Sequence, residues 1–306
     1  MMIKNIAIQA SRPAVRAFMR YCPFQPLRRL TWYKCTNPLY AWRPYPFVAK
    51  TYFGAEIQGN THDLIQSHIY FLGMWEPRIS RWVASRLNPG DTFIDVGANI
   101  GYFSLLAATR VGSDGMVLSV EACPEIYRHL AANLRRNRVK SVSAINVAAS
   151  SARGRLKLYR GIESNGGSTT TISDGSGDCP YEEVDALPLH EIVTDAQVQR
   201  LKLIKIDVEG AEYDVLQGAA KILERAPVGL EILVELHPSL LEKQNKSAGD
   251  VIALMQAHGF NAYFFPGDSS TDIYFAPQRT QALERLNGQT GRIETVVFSR
   301  EDAGFI

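Results

Sequence analysis

From residue 91 the chain alternates short, almost wholly apolar runs with amphipathic stretches, and few architectures accept that pattern. TFIDVGA (92–98), MVLSVEA (116–122), SVSAINVAA (141–149), LKLIKIDV (201–208) and GLEILVEL (229–236) read as strands. GYFSLLAATRV (101–111), PEIYRHLAANLRRN (124–137) and segments near 211–225 and 247–258 read as helices, with Ile126, Leu130, Ala131 and Leu134 on one face of the second. FNAYFFP (260–266) closes the series. Apolar strands separated by helices predict a parallel sheet covered on both faces.

Upstream, VAKTYFGAEIQGN predicts a hairpin around Phe53 and Gly54, and Glu76-Pro77 marks the start of a helix that ends at the NPGD turn, 88–91. One departure interrupts the main series. GRLKLYR is followed by ESNGGSTTTISDGSGDCP (163–180) and then EEVDALPLHEIV. A loop of that length inside a compact domain is expected to be a lid or disordered. The resulting divisions are a basic aromatic arm (1–47), a hairpin and helix cap (48–90), the main domain (91–280) and a C-terminal tail (281–306).

Charge separates the arm from the rest. Residues 1–50 hold nine Lys or Arg and no acid, although the whole chain of 306 residues has a formal net charge of only +2. Between Phe18 and Phe47 the bases are interleaved with Tyr21, Phe24, Trp32, Tyr33, Tyr40, Trp42 and Tyr45 and with prolines, so this stretch is not one regular helix. The plain expectation is an irregular arm whose aromatics pack on the main domain. The sharper one is contact with an anionic membrane surface, with nucleic acid as a weaker third. No apolar run reaches the roughly 18 residues of a membrane span. Lys4, Arg12, Arg16 and Arg20 punctuate the region where a signal peptide would be apolar. The four cysteines, Cys22, Cys35, Cys123 and Cys179, have neither metal-ligand nor disulfide-scaffold spacing. A cytoplasmic protein, peripheral to the membrane if the arm binds it, is the expectation.

The chemistry starts at DVGANIG, Asp95 to Gly101. A strand running through small residues into a helix offers backbone N–H groups and close approach to a cofactor, with Gly97 and Gly101 removing bulk. Glu121 ends the next strand about 20 residues on, where an acid accepts ribose hydroxyls. Both a nicotinamide dinucleotide and S-adenosylmethionine meet that requirement. The dinucleotide would be expected with GxGxxG, whereas Asn99 occupies the middle glycine position. Asp95 would repel a diphosphate and suit the ammonium of S-adenosylmethionine. The competing reading is that Asp95 caps the turn that follows.

These blocks resemble the FkbM family of S-adenosylmethionine-dependent methyltransferases. The resemblance rests on WEP (75–77), DTFIDVGANIGYFSLLA (91–107), Glu121 with Pro124 and YRHLAANL, and above all LIKIDVEGAE (203–212), and covers roughly residues 50–280. It implies an α/β class I methyltransferase fold, a Rossmann-like, mostly parallel seven-stranded sheet with an antiparallel last strand, for which DIYFAPQ (272–278) is the candidate. It also implies that Asp95, Gly97, Asn99, Gly101 and Glu121 bind the cofactor, and that a hydroxyl is methylated. EACP and LHEI (189–192) depart from the family's usual EPxP and LD.

Methyl transfer from an activated donor needs an aligned acceptor and a proton acceptor. Asp207 and Glu209 end the fourth main strand, and Glu235 and His237 the fifth, making Asp207, Glu209 and His237 the catalytic candidates. Such acids are also a candidate Mg²⁺ site, a reading held below a metal-free one. For Glu209 the plain alternative is a helix cap, and for His237 a turn residue. No NPPY-like run follows the fourth strand and no Pro-Cys nucleophile occurs, which disfavours nucleic-acid methylation. The acceptor is expected to be a hydroxyl on a sugar, glycan, lipid-linked or secondary-metabolite molecule. A nicotinamide-dependent oxidoreductase and a non-catalytic membrane-surface adaptor are the alternatives.

Overall fold

The computed structural model describes residues 2–40, 44–159, 169–172, 180–265, 271–275, 282–286 and 295–301, with side chains omitted at residues 2–7, 9 and 271. The described residues fall into two compact units. The first holds those of Met1–Trp82 and Gly267–Thr280, and the second those of Val83–Gly161, Gly167–Pro266 and Gln281–Ile306.

The first unit opens with helix α1 (Met2–Tyr21), in which Ile8, Val15, Phe18 and Met19 share a face at helical spacing. Pro23 follows its end. The chain resumes as α2 (Gln25–Thr31), a π-helical turn (Trp32–Thr36) and α3 (Asn37–Tyr40). The arm is therefore largely helical rather than irregular. Strands β1 (Pro46–Lys50) and β2 (Glu56–Asn60) form the antiparallel hairpin expected around Gly54, whose φ of +91° suits the turn. Helix α4 (Leu64–Leu72) is capped by Asp63. The aromatics Trp32, Tyr40, Phe47, Tyr70, Phe71 and Phe275 form the core of this unit. Thus Trp32 and Tyr40 both pack on Phe71 of α4. Helix α5 (Pro77–Arg86) starts at the Glu76-Pro77 boundary and leads into the second unit.

The second unit is built on β3 (Thr92–Val96), α6 (Tyr102–Val111), β4 (Met116–Val120), α7 (Pro124–Arg136) and β5 (Val142–Ile145). A small sheet of β6 (Ala148–Ala149), β7 (Gly154–Tyr159) and β8 (Tyr181–Leu187) follows, then short helices α8 (Leu189–Ile192) and α9 (Asp195–Gln199). The main series resumes with β9 (Leu201–Ile206), α10 (Glu212–Leu223), β10 (Glu231–Glu235), α11 (Pro238–Lys243), α12 (Ala248–Ala257) and β11 (Asn261–Phe264). Strands β12 (Glu284–Arg285) and β13 (Thr295–Ser299) complete it. The main sheet has the order β12-β11-β13-β10-β9-β3-β4-β5. Strands β10, β9, β3, β4 and β5 run parallel to one another, whereas β13 runs antiparallel to both β10 and β11. β3 sits between β4 and β9, so the strand order reverses there, and the carboxyl ends of β3 and β9 flank the crevice where such sheets bind ligands. This is the class I methyltransferase arrangement.

Three details differ from the sequence expectation. The sheet has eight strands among the described residues rather than seven, the addition being the two-residue edge strand β12. The antiparallel strand is Thr295–Ser299, within the expected tail, and not DIYFAPQ. Val296, Val297 and Phe298 are fully buried between β10 and β11, whereas Thr271–Tyr274 is a 3₁₀ turn of the first unit, with Asp272 accepting from Arg29 and Tyr33. Residues 276–278 lie outside the described residues. Finally, SVSAINVAA is two strands in different sheets, because the Asn146 side chain turns to donate to the carbonyls of Glu121 and Ala122.

Candidate active site

The loop after β3 is shaped by its own packing. Gly97 and Gly101 have φ of +79° and +91°. A Cβ on Gly97 would lie 1.8 Å from the Asp207 carbonyl oxygen, and one on Gly101 2.7 Å from Leu130 of α7. These glycines let the loop pass against the end of β9 and against α7, a requirement beyond room for a cofactor. Asn99 takes the left-handed conformation, φ +49°, with its Oδ1 accepting from the Ile100 N–H at 2.7 Å.

Glu121 holds the loop from the other side. Its Oε2 accepts from the Asn99 N–H at 2.8 Å and its Oε1 from the Cys123 N–H at 2.9 Å. Each oxygen keeps a further lone pair for a ribose hydroxyl. Burial raises its pKa to about 7 against the opposing pull of those two bonds. Asp95, buried on β3, accepts from Ser104 Oγ at 2.6 Å through Oδ2, and Ser119 donates to Ser104 in turn at 2.7 Å. Its Oδ1 has no hydrogen-bond partner among the described residues. Burial also raises the Asp95 pKa, with Lys205 and Ser104 opposing. A buried carboxylate oxygen left open is costly unless a donor meets it, and the ammonium of S-adenosylmethionine is a donor of suitable charge. The residues fit that cofactor: Asp95 toward the amino acid end and Glu121 toward the ribose.

At the ends of β9 and β10 the second group assembles. Lys205, buried on β9 beside Asp95, places Nζ 2.8 Å from Asp207 Oδ2 and 3.8 Å from Glu235 Oε1, and 4.8 Å from the centre of the Phe103 ring. His237 stands at the start of α11, its Nδ1 3.3 Å from Glu209 Oε2 and its Nε2 4.0 Å from Asp207 Oδ1. Burial works against a charge on His237, but the facing Asp207, Glu209 and Glu212 outweigh it and raise its pKa to about 9. Burial likewise opposes ionisation of Asp207, yet Lys205 and His237 hold it well below the usual carboxylate range. Burial raises Glu209.

The turn that presents these groups explains the DVEGAE run. Glu209 has φ of +52°, a conformation a non-glycine residue rarely holds, and its carbonyl accepts from Thr170 Oγ1 at 2.7 Å. Gly210 has φ of +101°, and a Cβ there would lie 2.5 Å from Ile172 and 2.6 Å from Leu240. Buried Glu212 accepts from the Gly210 N–H at 2.8 Å. Glu212 thus clamps the turn, and Glu209 faces His237 instead of capping α10. Of the expected lid, residues 169–172 lie against Glu209 and Gly210, while 163–168 and 173–179 lie outside the described residues.

Asp207, Glu209 and His237 come together: one ligand-type atom from each lies within 4.8 Å of the others. Lys205, Glu212, Ser104 and Asn146 were not among the expected site residues. Lys205 was legible, since a lysine two residues before Asp207 on an otherwise apolar strand is anomalous. The serine and asparagine carry no such signal.

The family described as "Methyltransferase FkbM domain" matches residues 95–262. The chain is 30% identical to 31-O-demethyl-FK506 methyltransferase FkbM of Streptomyces tacrolimicus over 203 residues, 57% of this chain and 74% of that protein. It is 29% identical to methyltransferase sdnD of Sordaria araneosa, over 56% of this chain and 75% of that one. It is 24% identical to hexuronic acid methyltransferase AglP of Haloferax volcanii, over 53% and 62%. A match over more than half of its length, on a sheet with this strand order, makes the chain a member of the FkbM family and an S-adenosylmethionine-dependent methyltransferase.

Proposed function

We propose that the chain methylates a hydroxyl group on a small sugar-like or secondary-metabolite acceptor, with His237 as the proton acceptor. S-adenosylmethionine supplies a methyl group already activated on a sulfonium. Asp95, Glu121 and the Gly97–Gly101 loop hold that donor. The observation that carries the reading is the pairing at His237. Nδ1 faces Glu209, which fixes the tautomer, while Nε2 points at Asp207 Oδ1 from 4.0 Å, beyond hydrogen-bond distance, and has no hydrogen-bond partner among the described residues. An orienting carboxylate on one ring nitrogen and a free second nitrogen is the arrangement of a general base. Bound S-adenosylmethionine would supply the methyl group and leave as its neutral thioether, and Nε2 of neutral His237 would take the proton of the acceptor hydroxyl. Glu209 then stabilises the imidazolium. Lys205 keeps Asp207 ionised and fixed in place.

The names of two relatives support the acceptor class, one referring to a demethylated 31-O position and the other to hexuronic acid. A resident Mg²⁺ suits this cluster less well. The Lys205 ammonium already fills the cationic place beside Asp207 and Glu235, and Mg²⁺ prefers an all-oxygen set. The test is a mass-resolved search for products labelled from S-adenosylmethionine in extracts supplemented with the wild-type protein or His237→Gln. His237→Gln should bind the cofactor normally and lose turnover by roughly two to four orders of magnitude. Normal turnover in that variant would remove His237 from the chemistry.

A further inference from the structure

The segment from Tyr21 to Leu39 has an inner and an outer face. Trp32, Thr36 and Tyr40, spaced four apart, are buried, with Trp32 against His68, Phe71 and Phe275. The outer positions are apolar as well. Of the ten large hydrophobic side chains exposed among the described residues, six lie here: Tyr21 (79%), Phe24 (68%), Leu27 (46%), Leu30 (56%), Tyr33 (43%) and Leu39 (42%). None of the seven residues of α2 is buried, so its two leucines add nothing to the core. Exposed apolar side chains scattered singly need no explanation, whereas a run of them on one short segment marks an interaction surface.

Charge identifies the partner. Residues 1–50 carry nine cations and no anion. Packing uses several of them: Arg12 is buried with its guanidinium over Tyr45, and Arg20 donates to the Ile69 and Tyr70 carbonyls at the end of α4. Arg29 is paired with Asp272. Arg20 keeps its charge, since burial lowers its pKa only to about 10, and Lys34 lies exposed beside Tyr33. The result is an apolar surface in a positive field. A symmetric contact with a second copy would bring this cationic patch against itself. A single-stranded nucleic acid would stack on aromatic rings, which Tyr21, Phe24 and Tyr33 supply, but Leu27, Leu30 and Leu39, half of the exposed set, offer no π-face and suit acyl chains instead. Among the described residues no helix is long and apolar enough to cross a membrane.

We propose that this face docks on an anionic lipid bilayer, with Phe24, Leu27 and Leu30 entering the boundary between headgroups and acyl chains and Lys34 meeting the headgroups. Co-sedimentation of the full chain with phosphatidylglycerol-containing vesicles and with phosphatidylcholine alone tests it. The wild type should pellet with the anionic vesicles, less at high salt, and poorly with neutral ones. Phe24→Gln/Leu27→Gln/Leu30→Gln should partition about a hundredfold less. Val228→Gln, at a side chain 63% exposed in the other unit, should behave as wild type. If the triple variant melts earlier than the wild type, Lys34→Glu decides, and it should weaken binding to anionic vesicles alone. Failure of the wild type to pellet, equal pelleting with both lipids, or unchanged pelleting of the variants overturns the proposal. A wild type that ignores vesicles but sediments as a dimer, and becomes a monomer in the triple variant, reassigns the face to self-association.

Discussion

Individual side chains in this protein act through what surrounds them. Glu121 joins two tasks in this proposal, because the carboxylate proposed to receive a ribose also holds the N–H groups of Asn99 and Cys123. Glu121→Ala should weaken S-adenosylmethionine binding by roughly 1.5–3 kcal/mol in titration calorimetry and also lower the melting temperature, since two backbone donors lose their acceptor. Unchanged binding would remove Glu121 from the cofactor site. His237 differs from an ordinary histidine in carrying its proton at neutral pH, its pKa being raised to about 9 by the facing carboxylates. If its neutral form is the base, kcat/KM should rise about tenfold per pH unit up to about 9 and then level off. Glu209→Gln, which removes one of those carboxylates, should move the break to lower pH. A profile already flat between pH 7 and 9 would exclude His237 as the base. The acids and the histidine were legible as types at strand ends. Their pairing was not, because it depends on the left-handed turn at Glu209, which no periodicity encodes.

The element that matters most is the passage from β9 into α10. Its turn is held by Glu212 on the Gly210 N–H and by Thr170 on the Glu209 carbonyl, and its backbone passes close to Ile172 and Leu240. Gly210→Ala should therefore cost about 1–3 kcal/mol of stability, read from the shift in a denaturation midpoint, and reduce turnover more than cofactor affinity. A variant with wild-type stability would mean that the turn tolerates a side chain. The parallel strands were readable from sequence because burial on both faces makes them continuous apolar runs, as in Phe93–Ile94 and Leu203–Ile204. β13 was missed because its short apolar run, Thr295–Ser299, stands apart from the alternating series, and because its place between β10 and β11 is a property of topology rather than local pattern.

Across the molecule, composition foretold a cationic N-terminal region but not how it is used. The first unit turns Arg12, Arg20 and Trp32 to its own packing, and its core includes a histidine. His68 is buried among Trp32, Trp75 and Tyr274 and bonds through Nδ1 to the Leu64 carbonyl, and burial lowers its pKa to about 4. The unfolded chain binds this proton near pH 6.5 and the folded chain only near 4. The resulting stability is present above pH 6.5 and lost as pH falls through that interval, by roughly 3 kcal/mol in full. His68→Phe should flatten the fall in melting temperature between pH 6.5 and 4, and an identical fall in both proteins would contradict neutral burial.

We propose that an oxygen receives the methyl group under the control of His237. Labelled S-adenosylmethionine supplied to extracts with the wild-type protein and with His237→Gln, followed by fragmentation mass spectrometry of every labelled product, measures it directly. The expected result is a product one methylene heavier than its precursor, labelled on an oxygen, formed by the wild type and almost absent with the variant. Label on nitrogen or carbon, or equal labelling by both proteins, would contradict it.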